Sequence, residues 1–298
     1  MEIIVEIGTP EQQTLVRQEI QGFLDVASQL KLPRPIIKVV IPGDFQESVR
    51  SLTSNNRYNS TRAVGDHSIT VMAKIIDTDE GVVITLSPDL YTAWQDSSTR
   101  AFMFFHEVIH VRNKELLPEL EIDGPVTTEM QYLGNLRKLF DEYVADRLAY
   151  KVVSIMFNPP SPFWENFLSA SAEGFRDTYQ AKSYYDAILS EVEKFRYHAD
   201  VDRFLQQIKP SLDNVAILTA HAFAFVHQFP DKLNLVDSSG GFFLAASTVA
   251  LYEYFKNKFD EKDYDLSDGC EIIARYFELF GFRFEDREHG LYCHVLDI

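Results

Sequence analysis

Two short patterns of metal-ligand type, His106-Glu107-Val108-Ile109-His110 and Glu142-Tyr143-Val144-Ala145-Asp146, constrain this chain more than any other feature. Residues four apart share one face of a helix, so His106 and His110 can offer two imidazole nitrogens to a single ion only if the segment is helical. The second pattern obeys the same rule, because Glu142 and Asp146 fall on one face of a second helix. A tetrahedral Zn²⁺ that keeps one position for water needs three protein ligands, and the carboxylate of Glu142 supplies the third. Asp146 can then fix the orientation of a ligating histidine by accepting its other N–H. Both patterns must therefore sit on helices that a surrounding fold holds face to face.

The rest of the chain provides material for such a fold. Its 298 residues are 46% hydrophobic and 13% aromatic, enough for a sizeable core. Residues 2–7 read as a strand. Thr9-Pro10-Glu11-Gln12 follows with a capping hydroxyl, a proline at the first helical position and a glutamine at the capping-box position, so a helix is expected to run on until before Pro33. Residues 36–41 form an apolar run, which makes the opening a β-α-β unit. The polar, turn-rich stretch 53–66 reads as a surface loop. Alternation at Ile69, Val71, Ala73 and Ile75, a turn at 77–81 and the apolar residues 82–86 predict a hairpin. Asp96, Ser97 and Ser98 offer caps for the helix that carries His106 and His110, whose Ala101-Phe102-Met103-Phe104-Phe105 run predicts burial nearly all round.

A long helix is expected over 127–157, closed by Asn158-Pro159-Pro160. The expected organisation is a first domain over residues 1–158, followed by a mostly helical lobe over 159–298. Helices are expected in the lobe at 164–176, 181–197, 214–228, 242–256 and 270–280, with a hairpin around 287–290. The apolar segments 214–229 and 240–252 are shorter than a bilayer span and interrupted by polar residues, which favours core helices over membrane anchors. The fold class that follows is α+β, a small mixed sheet with site-bearing helices and a largely α-helical C-terminal lobe.

Charge and cysteine usage narrow the partners. With 28 Lys and Arg against 45 Asp and Glu, the formal charge of −17 repels phosphate backbones and anionic lipid, so neither nucleic acid nor a membrane is an expected partner. Cys270 and Cys293 are too few for a disulfide framework, and the acidic N-terminus lacks the character of a signal peptide. A reducing, cytoplasmic location is the expectation.

The two motifs together resemble the zincin metallopeptidases, and among them the gluzincins, whose third ligand is a glutamate on a helix downstream of HExxH. The metzincin extension is absent, since Asn113 and Leu116 stand where its glycine and third histidine would be. The strand, polar turn and helix over 82–110 resemble ImmA/IrrE-type peptidases, although Ile109 replaces a glycine common there. Residues 141–146 are similar to the N-E-x-x-A-D element of Ste24/HtpX-type peptidases, with Asp141 in place of the asparagine. The resemblance covers about residues 68–150, roughly a quarter of the chain. It implies a zincin-like catalytic unit binding one Zn²⁺ through His106, His110 and Glu142, with Glu107 as general base and Asp146 behind a ligand. The implied reaction is hydrolysis of a peptide or protein substrate bound in extended form, with residues 82–86 as the edge strand that receives it.

The resemblance also implies a downstream oxyanion stabiliser, for which Tyr197, His198, His221 and His227 are all candidates. A satisfied core histidine is the competing reading for His221 and His227. A non-catalytic regulator that retains the fold is the competing reading of the whole chain, and a membrane-associated protease a more distant one.

Overall fold

The computed structural model describes residues 1–55, 58–64, 67–92, 96–117, 127–177, 179–233, 245–288 and 290–296. The chain forms two compact units. One comprises Met1–Ala63, Ser68–Leu116 and Ala145–Leu168, the other Val64–His67, Leu117–Val144 and Ser169–Ile298.

The first unit opens with β1 (Glu2–Val5), α1 (Pro10–Ala27) and β2 (Ile36–Ile41). Thr9 caps α1 as its sequence predicts: its hydroxyl accepts from the Gln12 N–H, and the Gln12 side chain accepts from the Thr9 N–H at 2.8 Å. Then come α2 (Phe45–Thr53), β5 (Ala73–Thr78) and β6 (Gly81–Leu86), with a two-stranded ribbon of β3 (Thr61–Val64) and β4 (His67–Thr70) between α2 and β5. The main sheet has the order β1-β2-β6-β5. β1, β2 and β6 run parallel, and β5 closes the sheet antiparallel to β6 with Ile75 opposite Ile84. On one face Val40, Ile76 and Val83 pack with Phe45 and Val49 of α2.

The expected mixed sheet and β5–β6 hairpin are present, but three expectations change. The polar stretch read as a loop contains β3, because a two-stranded ribbon can form without the apolar alternation that marks a half-buried strand. Residues 56–57 and 65–66 of that stretch lie outside the described residues. The first hairpin strand is divided at Val71 and Met72 into β4 and β5. Residues 82–86 are not an edge strand: β6 pairs with β2 on one side and β5 on the other and is buried along its whole length. A near-continuous apolar run is the signature of a strand covered on both faces, and β5 holds the outer position instead.

After the short α3 (Asp89–Thr92) comes α4 (Ser97–Leu116), the helix of the HExxH motif. Of the three caps on offer the chain uses Asp96, whose carboxylate accepts from the Thr99 N–H at 3.2 Å. Arg100 in the first turn makes a two-pronged ion pair with Glu19 of α1 at 2.8 and 2.7 Å, and both side chains are largely buried. Phe104 and Phe105 are fully buried, with ring centroids 5.6 and 6.1 Å from Phe23 of α1. Each such phenylalanine contributes on the order of 1.5–3 kcal/mol of burial. At the other end of α4, Lys114 pairs with Asp77 of β5.

Helix α5 (Thr128–Met156) is a single helix of 29 residues that begins in the second unit and ends in the first. It is capped by the Thr127 hydroxyl, which accepts from the Met130 N–H at 3.2 Å. α6 (Pro162–Asp177), α7 (Tyr179–His198), α8 (Val201–Gln228), α9 (Ala246–Glu261) and α10 (Cys270–Glu278) follow, making this region as helical as expected. α8 starts thirteen residues before the expected Asn214 and runs through Pro210; Asp200 caps it by accepting from the Arg203 N–H. A proline removes one helical hydrogen bond, which tertiary packing of Phe204, Ile208 and Leu212 offsets here. The expected terminal hairpin is β7 (Phe282–Arg287) with β8 (Gly290–Val295). The residues 242–244 of the expected helix before α9 lie outside the described residues. Among the described residues, no helix is long and apolar enough to cross a membrane.

Candidate metal centre

The burial pattern of α4 separates two faces. Between Ala101 and Val111 every side chain is buried except Met103, His106, Glu107 and His110. Those four stand at i, i+3, i+4 and i+7, a single stripe along the helix. The apolar residues hold α4 in the core, and the ligand-type residues occupy the one strip that the core leaves half-buried.

Along that strip the Nε2 atoms of His106 and His110 are 2.9 Å apart, with the rings edge to face. His106 Nδ1 lies 2.7 Å from Asp146 Oδ1 on α5, and Asp146 is only 2% exposed. A carboxylate is an acceptor, so His106 must carry its proton on Nδ1 and donate it to Asp146. In a neutral ring Nε2 is then the acceptor atom, and it faces His110 Nε2. Glu142, one turn before Asp146 on α5, completes the group: one ligand atom each from His106, His110 and Glu142 lie within 4.8 Å of one another. All three are half-buried.

The donor set fits a metal ion. Two nitrogens held at 2.0–2.1 Å by a tetrahedral ion are about 3.3 Å apart, and the observed 2.9 Å is within a small ring rotation of that separation. At that separation His110 can donate an Nε2 proton to His106, and toward an ion both Nε2 lone pairs and the carboxylate can turn. The group can therefore hold a divalent metal ion. Asp146, which the sequence sets beside a histidine, lies against His106 Nδ1.

One helical turn from His106 and from Asp146 stand Phe102 and Tyr150, both buried. Phe102 stacks on Tyr150 with centroids 4.5 Å apart, and Trp164 closes against both rings at 6.1 and 6.3 Å. Burial, and then the Asp146 carboxylate, push the Tyr150 phenol well above its ordinary value, so it remains neutral. Asp146 is itself buried, so its contact with His106 is shielded from solvent competition. Sequence alone gave no signal for the Phe102–Tyr150 stack, because neither residue carries a spacing that pairs it with the other.

The four oxyanion candidates lie on α7 and α8. Tyr197 is 89% exposed near the end of α7. His198 ends that helix and accepts from the Asp200 N–H at 3.0 Å, a local turn contact. His221 is half-buried within α8. His227, in the last turn of α8, meets the Tyr143 hydroxyl at 2.6 Å and Asp260 at 3.5 Å. None of the four belongs to the ligand group among the described residues. Family models, curated proteins and solved structures contain no match to this chain.

Proposed function

We propose that the chain is a zinc-dependent metallopeptidase with a zincin-like catalytic unit, hydrolysing peptide bonds in extended substrates. The observation that carries this reading is the arrangement around His106: Asp146 Oδ1 lies 2.7 Å from its Nδ1, and its Nε2 faces His110 within the group completed by Glu142. A purely structural pair of core histidines needs no buried carboxylate at one ring nitrogen.

His106, His110 and Glu142 would hold the ion and leave a fourth position for water. Bound there, Zn²⁺ supplies Lewis acidity and brings the pKa of a coordinated water toward neutrality. Glu107, half-buried on the same stripe of α4, accepts the proton of the attacking water and returns it to the departing amine nitrogen. The C–N bond breaks as the new C–O bond completes the acid product, and the proton count closes without another donor. Asp146 retains its hold on the His106 ring throughout, which keeps the imidazole oriented and raises its basicity.

β5 replaces the interior β6 as the strand to which a substrate adds. It is an outer strand of the sheet, and Lys114, one turn beyond His110 on α4, pairs with its Asp77. Strand addition requires a segment that can present free backbone N–H and C=O groups, so unstructured segments are cut and folded domains resist. The test is a panel of unstructured peptides incubated with zinc-loaded protein and with Glu107→Gln, read by mass spectrometry. Fragments produced by the parent alone are expected. Intact peptides throughout, at full zinc occupancy, would favour a regulator that binds without cutting.

A further inference from the structure

Glu142 has a buried neighbour whose polar end is tied into a separate chain of groups. Tyr143 is fully buried in the second unit, its ring nearly parallel to that of His227 at 12° and 6.1 Å, with Phe140, Phe255 and Phe259 around it. The Tyr143 Oη is 2.6 Å from His227 Nδ1, and His227 Nε2 is 3.5 Å from Asp260 Oδ1 on α9. With a neutral ring every role is complementary: the phenol donates to Nδ1, and the N–H at Nε2 faces the carboxylate. Phenylalanine at 143 would fill the same apolar surroundings with no polar group to satisfy, so the hydroxyl calls for a reason beyond packing.

We propose that Asp260, His227 and Tyr143 act as a positioning relay that fixes the rotation of α5 about its axis and thereby the place of the Glu142 carboxylate. The inference rests on the metal-centre reading above. Adjacent helical residues point about 100° apart, so holding Tyr143 at its tip holds Glu142 as well. A side-chain end lies about 5–6 Å from the helix axis, and a turn of about 10° moves it by about 1 Å. That displacement exceeds the roughly 0.5 Å within which a metal site must be held. Stacked rings slide past one another at little cost, whereas a short directional hydrogen bond does not. His227 is suited to the task because it sits in the last turn of α8 and is braced from the far side by Asp260, so the relay spans three helices of one unit.

The test uses the full chain and two readouts: zinc affinity by chelator competition, and the absorption spectrum of the Co²⁺-substituted protein, which reports ligand geometry. Tyr143→Phe and His227→Phe are each expected to weaken zinc by about 3- to 10-fold, the effect of losing one hydrogen bond, and to alter the cobalt bands. The double variant should be no worse than either single one, because the two act through the same bond. His227→Gln, whose amide oxygen can accept from Tyr143 while its N–H₂ faces Asp260, should restore affinity to within about 2-fold. Phe204→Leu is the structural control: it loosens α8 near its start, where Phe204 meets Phe195 and Phe282, and should lower the Tm without moving zinc affinity. A parent that binds one zinc while both phenylalanine variants keep its affinity and spectrum would overturn the relay alone. So would a Phe204→Leu loss as large as that of His227→Phe. A parent that binds no zinc would overturn the metal centre and the relay together.

Discussion

Asp146 and His106 define one another's state. The buried carboxylate makes sense only with an N–H to accept, and the imidazole presents its lone pair to the ligand group only because that N–H is committed. Asp146→Asn keeps the shape but removes the charge, and is expected to weaken zinc binding by about 10- to 100-fold, measured by chelator competition. His106→Ala and His110→Ala remove a ligand outright and should abolish stoichiometric binding. If Asp146→Asn lost zinc as completely as His106→Ala, Asp146 would be a ligand and Glu142 would not. The spacing of both motifs made these residues legible in the sequence, since a four-residue interval on a helix already fixes which side chains share a face. The Tyr143–His227 contact was not legible. Its partners are 84 residues apart, and nothing local marks a tyrosine or a histidine on an apolar helix as half of a pair.

Elements were readable where their signals are local. The Thr9–Gln12 capping box, the cap at Asp96 and the turn between β7 and β8 each depend on a few neighbouring residues, which lie together in sequence and in space, whereas the Asp200 cap of α8 went unread because Pro210 follows it inside the helix. Strand order is different, because the second partner of β6, β2, is a distant segment and the residues of β6 say only that both faces are covered. Its interior position changes what a proline there would do. Ile84→Pro removes a ladder donor and a fully buried side chain from the middle of the sheet, and is expected to cost about 3 kcal/mol or more, seen as a fall in thermal stability. Retention of the parent Tm would argue against the interior placement. In the second unit the single turn at 267–269 approaches α5 so closely that a Cβ on Gly269 would meet Leu136 at 2.5 Å and the Tyr254 ring at 2.8 Å. Gly269→Ala should therefore destabilise by about 1–3 kcal/mol in denaturant titration, by overpacking and not by any change at the ligands.

The charge of −17 belongs to the whole chain and acts at long range. It should favour basic over acidic peptides of equal length at low salt, and the preference should shrink as ionic strength passes about 0.15 M, where the Debye length is near 8 Å. A preference that persisted unchanged in high salt would point to direct contacts in place of the overall field. The claim on which the functional reading depends is simpler, namely that two helices bring His106, His110 and Glu142 together as the ligands of one metal ion. Its most direct test is the zinc content, by elemental analysis after exhaustive dialysis, of the parent beside His106→Ala, His110→Ala and Glu142→Ala. The account predicts one zinc per parent chain and little or none in each variant, with the variants still folded by circular dichroism; zinc content unchanged across all three, or no zinc in the parent, would contradict it.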